Sequence, residues 1–177
     1  MTPRIIAIAV TILTLLNVAQ ASTTPQAAQP AKTDCKSHEH RQFDFWIGKW
    51  NVIDTKTRQP AGVSLIESLY KGCGVRENWK DPDLIGGSLN IYVSSDQRWH
   101  QFWIDSSGAE REFIGGLDKG RMILISKHKS VLDPDAIVQE RMIFTPNPDG
   151  SVRQYSDASI DGGATWVPRY DYTYQHN

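Results

Sequence analysis

Aromatic and polar side chains lie two residues apart on short segments of the chain. Glu77 precedes Trp79, Gln101 precedes Trp103, and a third segment carries Arg141. Side chains two residues apart share one face of a β-strand, so these segments would present an aromatic surface with a few embedded polar groups. Small-molecule pockets are lined in this way. We predict that these five residues line a ligand site, and that Arg141 and Glu77 pair with each other when the site is empty.

The alternation also leaves the opposite arrangement open. Phe102 with Ile104, and Met142 with Phe144, lie on the other faces of two of these segments. Because both faces carry apolar residues, alternation alone does not decide which one points inward. If the second set filled the interior, the protein would have a solid core and a structural or partner-binding role.

Nucleophilic and metal-dependent catalysis lack their usual signatures. The sequence contains neither a G-x-S-x-G motif nor an H-E-x-x-H motif. Glu77, Asp105, Glu110 and Glu112 could supply a carboxylate pair for general acid–base catalysis. On this basis no catalytic residue is predicted. The alternative to a binding protein is an enzyme of the hydrolase or isomerase type, with Glu77 or Asp105 as its base.

Two groups of residues bear on metal and haem binding. Cys35, His38 and His40 lie close together in the sequence, but a disulfide-bonded Cys35 would supply no thiolate to a metal. His100 and His128 lie in or beside predicted strands, where a single histidine can hold haem or simply occupy the sheet surface. We predict no metal site and no cofactor.

Short β-strands must position these side chains. Beyond Lys49 the chain divides into ten runs rich in β-branched and aromatic residues, with no long segment of helical periodicity. The nine predicted turns are 58–62, 71–74, 81–87, 94–97, 106–109, 117–120, 128–136, 146–150 and 160–164. Short connections pair sequence neighbours, and closure removes the edges of so long a sheet. The sequence therefore predicts an all-β fold, an antiparallel up-and-down β-barrel of about ten strands.

Residues 159–166 read SIDGGATW, which fits the S-x-D-x-G-x-T-W box of sialidase-type propellers. A propeller needs several blades of about 40 residues each, and the sequence shows one full copy of the box. We therefore predict a hairpin turn in which Asp161 accepts bonds from the turn backbone, the glycines adopt positive φ and Trp166 packs beneath.

A G-x-W motif, Gly48 to Trp50, opens the first predicted strand and follows a short helical segment. The entry reads FDFWIGKW over 43–50, and ENW, WHQ and DGGATW segments follow it. Together these segments resemble the calycins, which include lipocalins and fatty-acid-binding proteins, and more specifically a family of uncharacterised secreted bacterial lipocalin-like proteins. The resemblance implies a lipocalin-like barrel whose closed end is plugged by Trp50. It brings no reaction and no catalytic residues.

The beginning of the chain predicts export. Arg4 precedes an apolar run over 5–18, and Ala-Gln-Ala follows, which is typical of a signal peptide (1–21) cleaved after Ala21. The run is too short for a membrane span, so no membrane anchor is expected after cleavage. Residues 22–37 would form a flexible lead to a barrel domain over 38–177.

Cys35 and Cys73 are the only cysteines of the chain. In the oxidising compartment that an exported protein enters, a pair of cysteines normally forms a disulfide. We predict this disulfide and a periplasmic or extracellular location.

The net charge of the chain indicates which classes of partner to expect. The formal net charge is −1 and the sequence has no Lys/Arg-rich run, so a nucleic-acid partner is not expected. Taken with the strand faces, these features predict an exported barrel that holds a small hydrophobic or amphiphilic molecule.

Overall fold

The computed structural model describes residues 34–130 and 133–176. The predicted signal peptide and residues 22–33 of the predicted lead lie outside the described residues. The strands are β1 (Gly48–Asp54), β2 (Pro60–Leu69), β3 (Gly74–Lys80), β4 (Ile85–Val93), β5 (Arg98–Asp105), β6 (Glu110–Asp118), β7 (Arg121–Lys129), β8 (Ile137–Pro146), β9 (Val152–Ser159) and β10 (Val167–His176). Helical structure in this part of the chain consists of the 3₁₀ turns Glu39–Arg41, Asp44–Trp46 and Tyr70–Gly72. None of it is long and apolar enough to cross a membrane.

The ten strands form one closed antiparallel barrel. Each strand pairs with the next along the chain, and β1 also pairs with β10, where Trp50 lies opposite His176 and Asp54 opposite Tyr172. The prediction of an up-and-down barrel of about ten strands is confirmed. Its physical basis is that the short connections bring each strand back beside its predecessor, while closure pairs the first strand with the last.

The first two 3₁₀ turns cover one end of the barrel. Phe43 and Trp46 are fully buried there, with ring centroids 5.0 Å apart, and both rings contact Phe144 of β8. Trp50, near the start of β1, is 2% exposed, and its indole N–H donates to the carbonyl oxygen of Trp46 at 2.9 Å. The prediction that Trp50 is buried at the closed end is confirmed.

A disulfide between Cys35 and Cys73 fastens this cover to the barrel. Cys73 follows the third 3₁₀ turn, in the connection between β2 and β3. The guanidinium of Arg41 adds a hydrogen bond to the carbonyl oxygen of Gly72 in the same connection. The predicted disulfide is confirmed, and it ties residues 34–37, which we assigned to the lead, to the folded domain.

The connection between β9 and β10 is a hairpin turn, as predicted. Asp161 accepts hydrogen bonds from the amide and the hydroxyl of Thr165 at 2.9 and 2.6 Å. The two glycines of the turn have positive φ angles of 73° and 97°. The indole N–H of Trp166 donates to the carbonyl oxygen of Gly163 at 3.0 Å, so the turn is closed by its own side chains.

Two predicted turns, 58–62 and 81–87, are too long, because β2 begins at Pro60 and the last three residues of each turn lie in a strand. β4 begins at Ile85, so Gly86 lies in a strand and not in the turn. A Cβ atom at Gly86 would lie 2.6 Å from Cζ2 of Trp103 on β5. Glycine at this position therefore makes room for the large side chain of Trp103 in the barrel wall.

The barrel interior changes from apolar to polar along its axis. Next to the cover, the buried side chains include Phe43, Trp46, Trp50, Val52, Met122, Leu124, Phe144 and Val152. Further from the cover, the buried side chains include the polar residues Ser64, Glu77, Ser88, Gln101, Gln154 and Ser156. Because a buried polar group costs free energy unless it is hydrogen-bonded, this polar half requires a specific network.

Candidate functional site

A cavity of about 310 Å³ occupies the polar half of the barrel. It opens at the end opposite the cover, since Leu84 and Ala109, from the β3–β4 and β5–β6 connections, contribute to its rim. Its lining comprises Glu77, Trp79, Asp81, Leu84, Gln101, Trp103, Asp105, Ala109, Glu110, Arg111, Phe113, Glu140, Met142, Gln154, Tyr170, Tyr172 and Tyr174. The alternative of a solid core is therefore wrong for this half of the barrel.

Four of the five residues predicted from the sequence come together in this cavity. Glu77 and Trp79 from β3, and Gln101 and Trp103 from β5, all belong to its wall. On the opposite face of β5, Phe102 is 50% exposed. The inward orientation chosen for these two strands is thus the one observed, and binding of a ligand by the four residues stays a prediction.

Arg141 lies outside the cavity, so its predicted orientation toward the lumen is wrong. Its guanidinium donates two hydrogen bonds to the carboxylate of Asp157 on β9, at 3.0 and 2.6 Å. The guanidinium also lies 4.1 Å from the ring centroid of Trp166 in the β9–β10 hairpin. The predicted pair with Glu77 is not formed, because Asp157 already neutralises this cation on the outer face.

The inward face of β8 is the one that we offered as the alternative. Glu140 and Met142 line the cavity, and Phe144 is fully buried under the cover. The contacts of Phe144 with Phe43 and Trp46 explain this choice, since they bury its ring completely. An inward Arg141 would instead have placed Phe144 in solvent.

Glu77 is the buried carboxyl group of the cavity, with 5% exposure. The hydroxyls of Ser64 and Ser88 donate to its two oxygens at 3.2 and 3.1 Å, and the hydroxyl of Tyr174 lies 3.4 Å from Oε1. Burial raises the pKa of Glu77 to about 7, and the hydroxyl hydrogen bonds offset this rise only in part. The groups that hydrogen-bond to it in the described structure are all uncharged, so Glu77 titrates near neutral pH without a cationic partner.

A chain of hydrogen bonds connects Gln101 with Glu77. Gln101 donates through Nε2 to Oδ1 of Asn90 at 2.8 Å, and Asn90 donates through Nδ2 to the hydroxyl of Ser88 at 3.0 Å. Ser88 in turn donates to Glu77. Because each member is held by the next, the carboxyl group keeps a defined orientation in the cavity wall.

The two predicted tryptophans are held in the same way at the rim. The indole N–H of Trp79 donates to the carboxylate of Asp81 at 2.8 Å, and that of Trp103 donates to the carboxylate of Asp105 at 3.0 Å. The bond from Trp79 keeps the pKa of Asp81 below its usual range, and the hydroxyl of Ser107, together with the indole of Trp103, does the same for Asp105. Both aspartates are therefore ionised at neutral pH. Each rim aspartate thereby fixes the plane of an indole two residues before it.

Glycines on neighbouring strands make room for both indoles. A Cβ atom at Gly62 of β2 would lie 2.7 Å from Cζ2 of Trp79, just as one at Gly86 of β4 would meet Trp103. Gly86 also lies directly opposite Trp79 in the ladder between β3 and β4. The indole of Trp103 therefore extends over the position next to Trp79, so the two tryptophans line adjacent parts of the wall.

Three tyrosines of β10 belong to the site and were missed in the sequence. Tyr170, Tyr172 and Tyr174 all line the cavity. The rings of Tyr170 and Tyr172 stack with centroids 4.9 Å apart, and Tyr172 lies 5.9 Å from Trp79. The signal was available, since Y-x-Y-x-Y over 170–174 places three aromatic rings on one strand face.

The carboxylates considered for acid–base chemistry divide between the two faces of the barrel. Asp105 and Glu110 line the cavity with Glu77. Glu112 lies away from that cavity, where its carboxylate is 3.7 Å from Nδ1 of His100. His100 also contacts Asp96 at 2.7 Å, so this histidine is held by carboxylates away from the cavity.

The other candidate metal and haem ligands do not reach the cavity wall. Cys35 is in the disulfide, and Nδ1 of His40 is hydrogen-bonded to the hydroxyl of Ser37 at 2.9 Å. His128 lines a second cavity, of about 650 Å³, where β6 and β7 separate beyond their last paired residues, Ile114 and Ile125. The described residues contain no group of three His, Cys, Asp or Glu side chains placed to hold a metal ion.

No family model matches the sequence, and no curated protein is significantly similar to it.

Proposed function

We propose that the protein is an exported barrel that binds a small amphiphilic molecule in the 310 Å³ cavity. The observation that carries this proposal is the composition of the wall, in which Trp79, Trp103 and Tyr172 offer apolar surface beside the buried carboxyl group of Glu77. An apolar cavity with a few oriented polar groups is the usual form of a small-molecule site. The resemblance to calycins supports the same function, and the disulfide fits a protein that works outside the cytoplasm.

Tryptophan emission tests this proposal, because two indoles lie in the cavity wall. Native mass spectrometry of the protein purified from its source should first show a bound molecule as added mass. Amphiphilic compounds should then change the emission of the wild type, and Trp103→Phe should reduce that change. Trp166→Phe, which alters an indole outside the cavity, is the matched control and should keep it. Absence of both added mass and any emission change would refute the proposal.

Proton-transfer catalysis in the same cavity is the second candidate. It is favoured by the burial of the Glu77 carboxyl group among uncharged hydroxyls, which raises its pKa to about 7. A carboxyl group that titrates near the working pH is suited to act as a general acid or base. Small esters and compounds with an acidic C–H bond should be incubated with the protein in D₂O. They should then be recovered and analysed by mass spectrometry. Turnover or deuterium uptake that disappears in Glu77→Gln would establish this function, and its absence in the wild type would exclude it for these substrates.

A further inference from the structure

We propose that the cavity selects an organic cation, an ammonium or quaternary ammonium group carried on a small apolar body. This inference rests on the proposed function and specifies the chemical class of its ligand. It stands on three observations: the charges that line the cavity, the way in which its carboxylates are held, and the aromatic faces beside them.

Carboxyl groups outnumber cations in the wall. Five acidic side chains line the cavity, and Arg111 is the one basic side chain among its described lining residues. The acidic residues are Glu77, Asp81, Asp105, Glu110 and Glu140. An anionic ligand would meet an excess of like charge in a confined space, whereas a cation would meet complementary charge.

Neutral donors hold four of the five carboxyl groups that line the cavity. Glu77 is bonded to serine hydroxyls, Glu140 accepts from the hydroxyl of Ser156 at 3.0 Å, and the two rim aspartates accept from indole N–H groups. None of these bonds brings a positive charge to the carboxylate. A neutral ligand would leave this charge as it is, while a cation would neutralise it within the cavity.

Aromatic faces complete the site. Trp79 and Trp103 line adjacent parts of the wall, and Tyr172 stacks near Trp79. The face of an indole attracts a cation more strongly than any other aromatic side chain does. Each indole donates its N–H to a carboxylate, which polarises the ring and makes its face more negative. Aromatic surface with nearby carboxylates is suited to a cation whose charge is spread over alkyl groups.

Three matched probes test this inference by calorimetry and by tryptophan emission. Benzyltrimethylammonium carries the cation, neopentylbenzene is its uncharged carbon isostere, and phenylacetate carries the opposite charge. We expect benzyltrimethylammonium to bind at least about tenfold more tightly than either of the other probes, as charge and cation–π terms together imply. Equal or tighter binding of the isostere or of phenylacetate would overturn the cation inference and leave the proposed function intact. Binding of none of the three would overturn both.

Variants assign the selectivity to the named groups. Glu77→Gln keeps the shape of the side chain and removes its charge, so it should lower the affinity for benzyltrimethylammonium and leave that for neopentylbenzene within about twofold. Asp118→Asn removes the same charge from the exposed last residue of β6, at the other end of the barrel, and should change neither affinity. Should Glu77→Gln not fold, Trp103→Leu tests the aromatic face in a side chain that is only partly buried. Unchanged selectivity in the variant that folds would overturn the inference.

Discussion

The buried carboxyl group of Glu77 should make the stability of the protein fall as the pH rises through neutrality. In the folded state burial raises its pKa from 4.5 to about 7, and in the unfolded chain the pKa returns to about 4.5. Between these values the folded state binds more protons than the unfolded state, so unfolding becomes easier as the pH rises. The contribution of Glu77 to the unfolding free energy is fully present below its pKa in the unfolded chain, and it is lost as the pH rises through its pKa in the folded state.

The size of this effect follows from the two pKa values. A rise from 4.5 to about 7 corresponds to about 3 kcal/mol of unfolding free energy over the full range. Between pH 5 and 8.5 the wild type should lose about 2.5 kcal/mol of it. The hydroxyls around Glu77 contribute little of their own in this window, since serine does not titrate and burial raises the pKa of Tyr174 well above 10.

Urea unfolding of the wild type and of Glu77→Gln across this pH range measures the effect. The variant lacks the titrating group, so the difference in unfolding free energy between the two proteins removes the contribution of histidines and other carboxylates. We expect this difference to change by about 2–3 kcal/mol in favour of the variant between pH 5 and 8.5. Glu67→Gln, which removes an outward carboxylate paired with Arg76, is the control and should show no comparable change. Parallel curves for the wild type and Glu77→Gln would refute the assigned environment of Glu77.

Three further perturbations test the cover, the plug and the outer face. Cys73→Ser opens a disulfide that joins residues 38 positions apart and should lower the unfolding free energy by about 4 kcal/mol, while the wild type should show no free thiol before reduction. Trp50→Ala should cost about 3–5 kcal/mol in a thermal or urea melt, and an unchanged midpoint would contradict its role in the buried core. Arg141→Gln leaves the carboxylate of Asp157 without its cation and should destabilise the barrel by about 3 kcal/mol. This variant should leave the affinity for benzyltrimethylammonium unchanged. A loss of binding without a loss of stability would show that Arg141 takes part in the ligand site.

Local chemistry determined most of the fold. Runs of β-branched and aromatic residues between short turns specify ten strands, and the shortness of the connections specifies which strands pair. The hairpin at 159–166 could be read in the sequence because its hydrogen bonds join residues only a few positions apart. The disulfide could be predicted as well, since the chain offers one possible pair of cysteines.

The site was only partly accessible to the same reasoning, as β8 shows. Because side chains alternate along a strand, Arg141 and Met142 must lie on opposite faces, but the alternation does not decide which face points inward. That choice depends on Phe43 and Trp46, about a hundred residues earlier, which bury Phe144, and on Asp157, which holds Arg141 outside. The raised pKa of Glu77 could not be predicted from the sequence for the same reason, since its surroundings are formed by serines from two other strands and a tyrosine from β10. The sequence by itself determined the strands, their order and the disulfide, because these follow from local preference and connectivity. The tertiary structure alone decided which side chains meet inside the barrel, because that depends on the register and packing of residues distant in the chain.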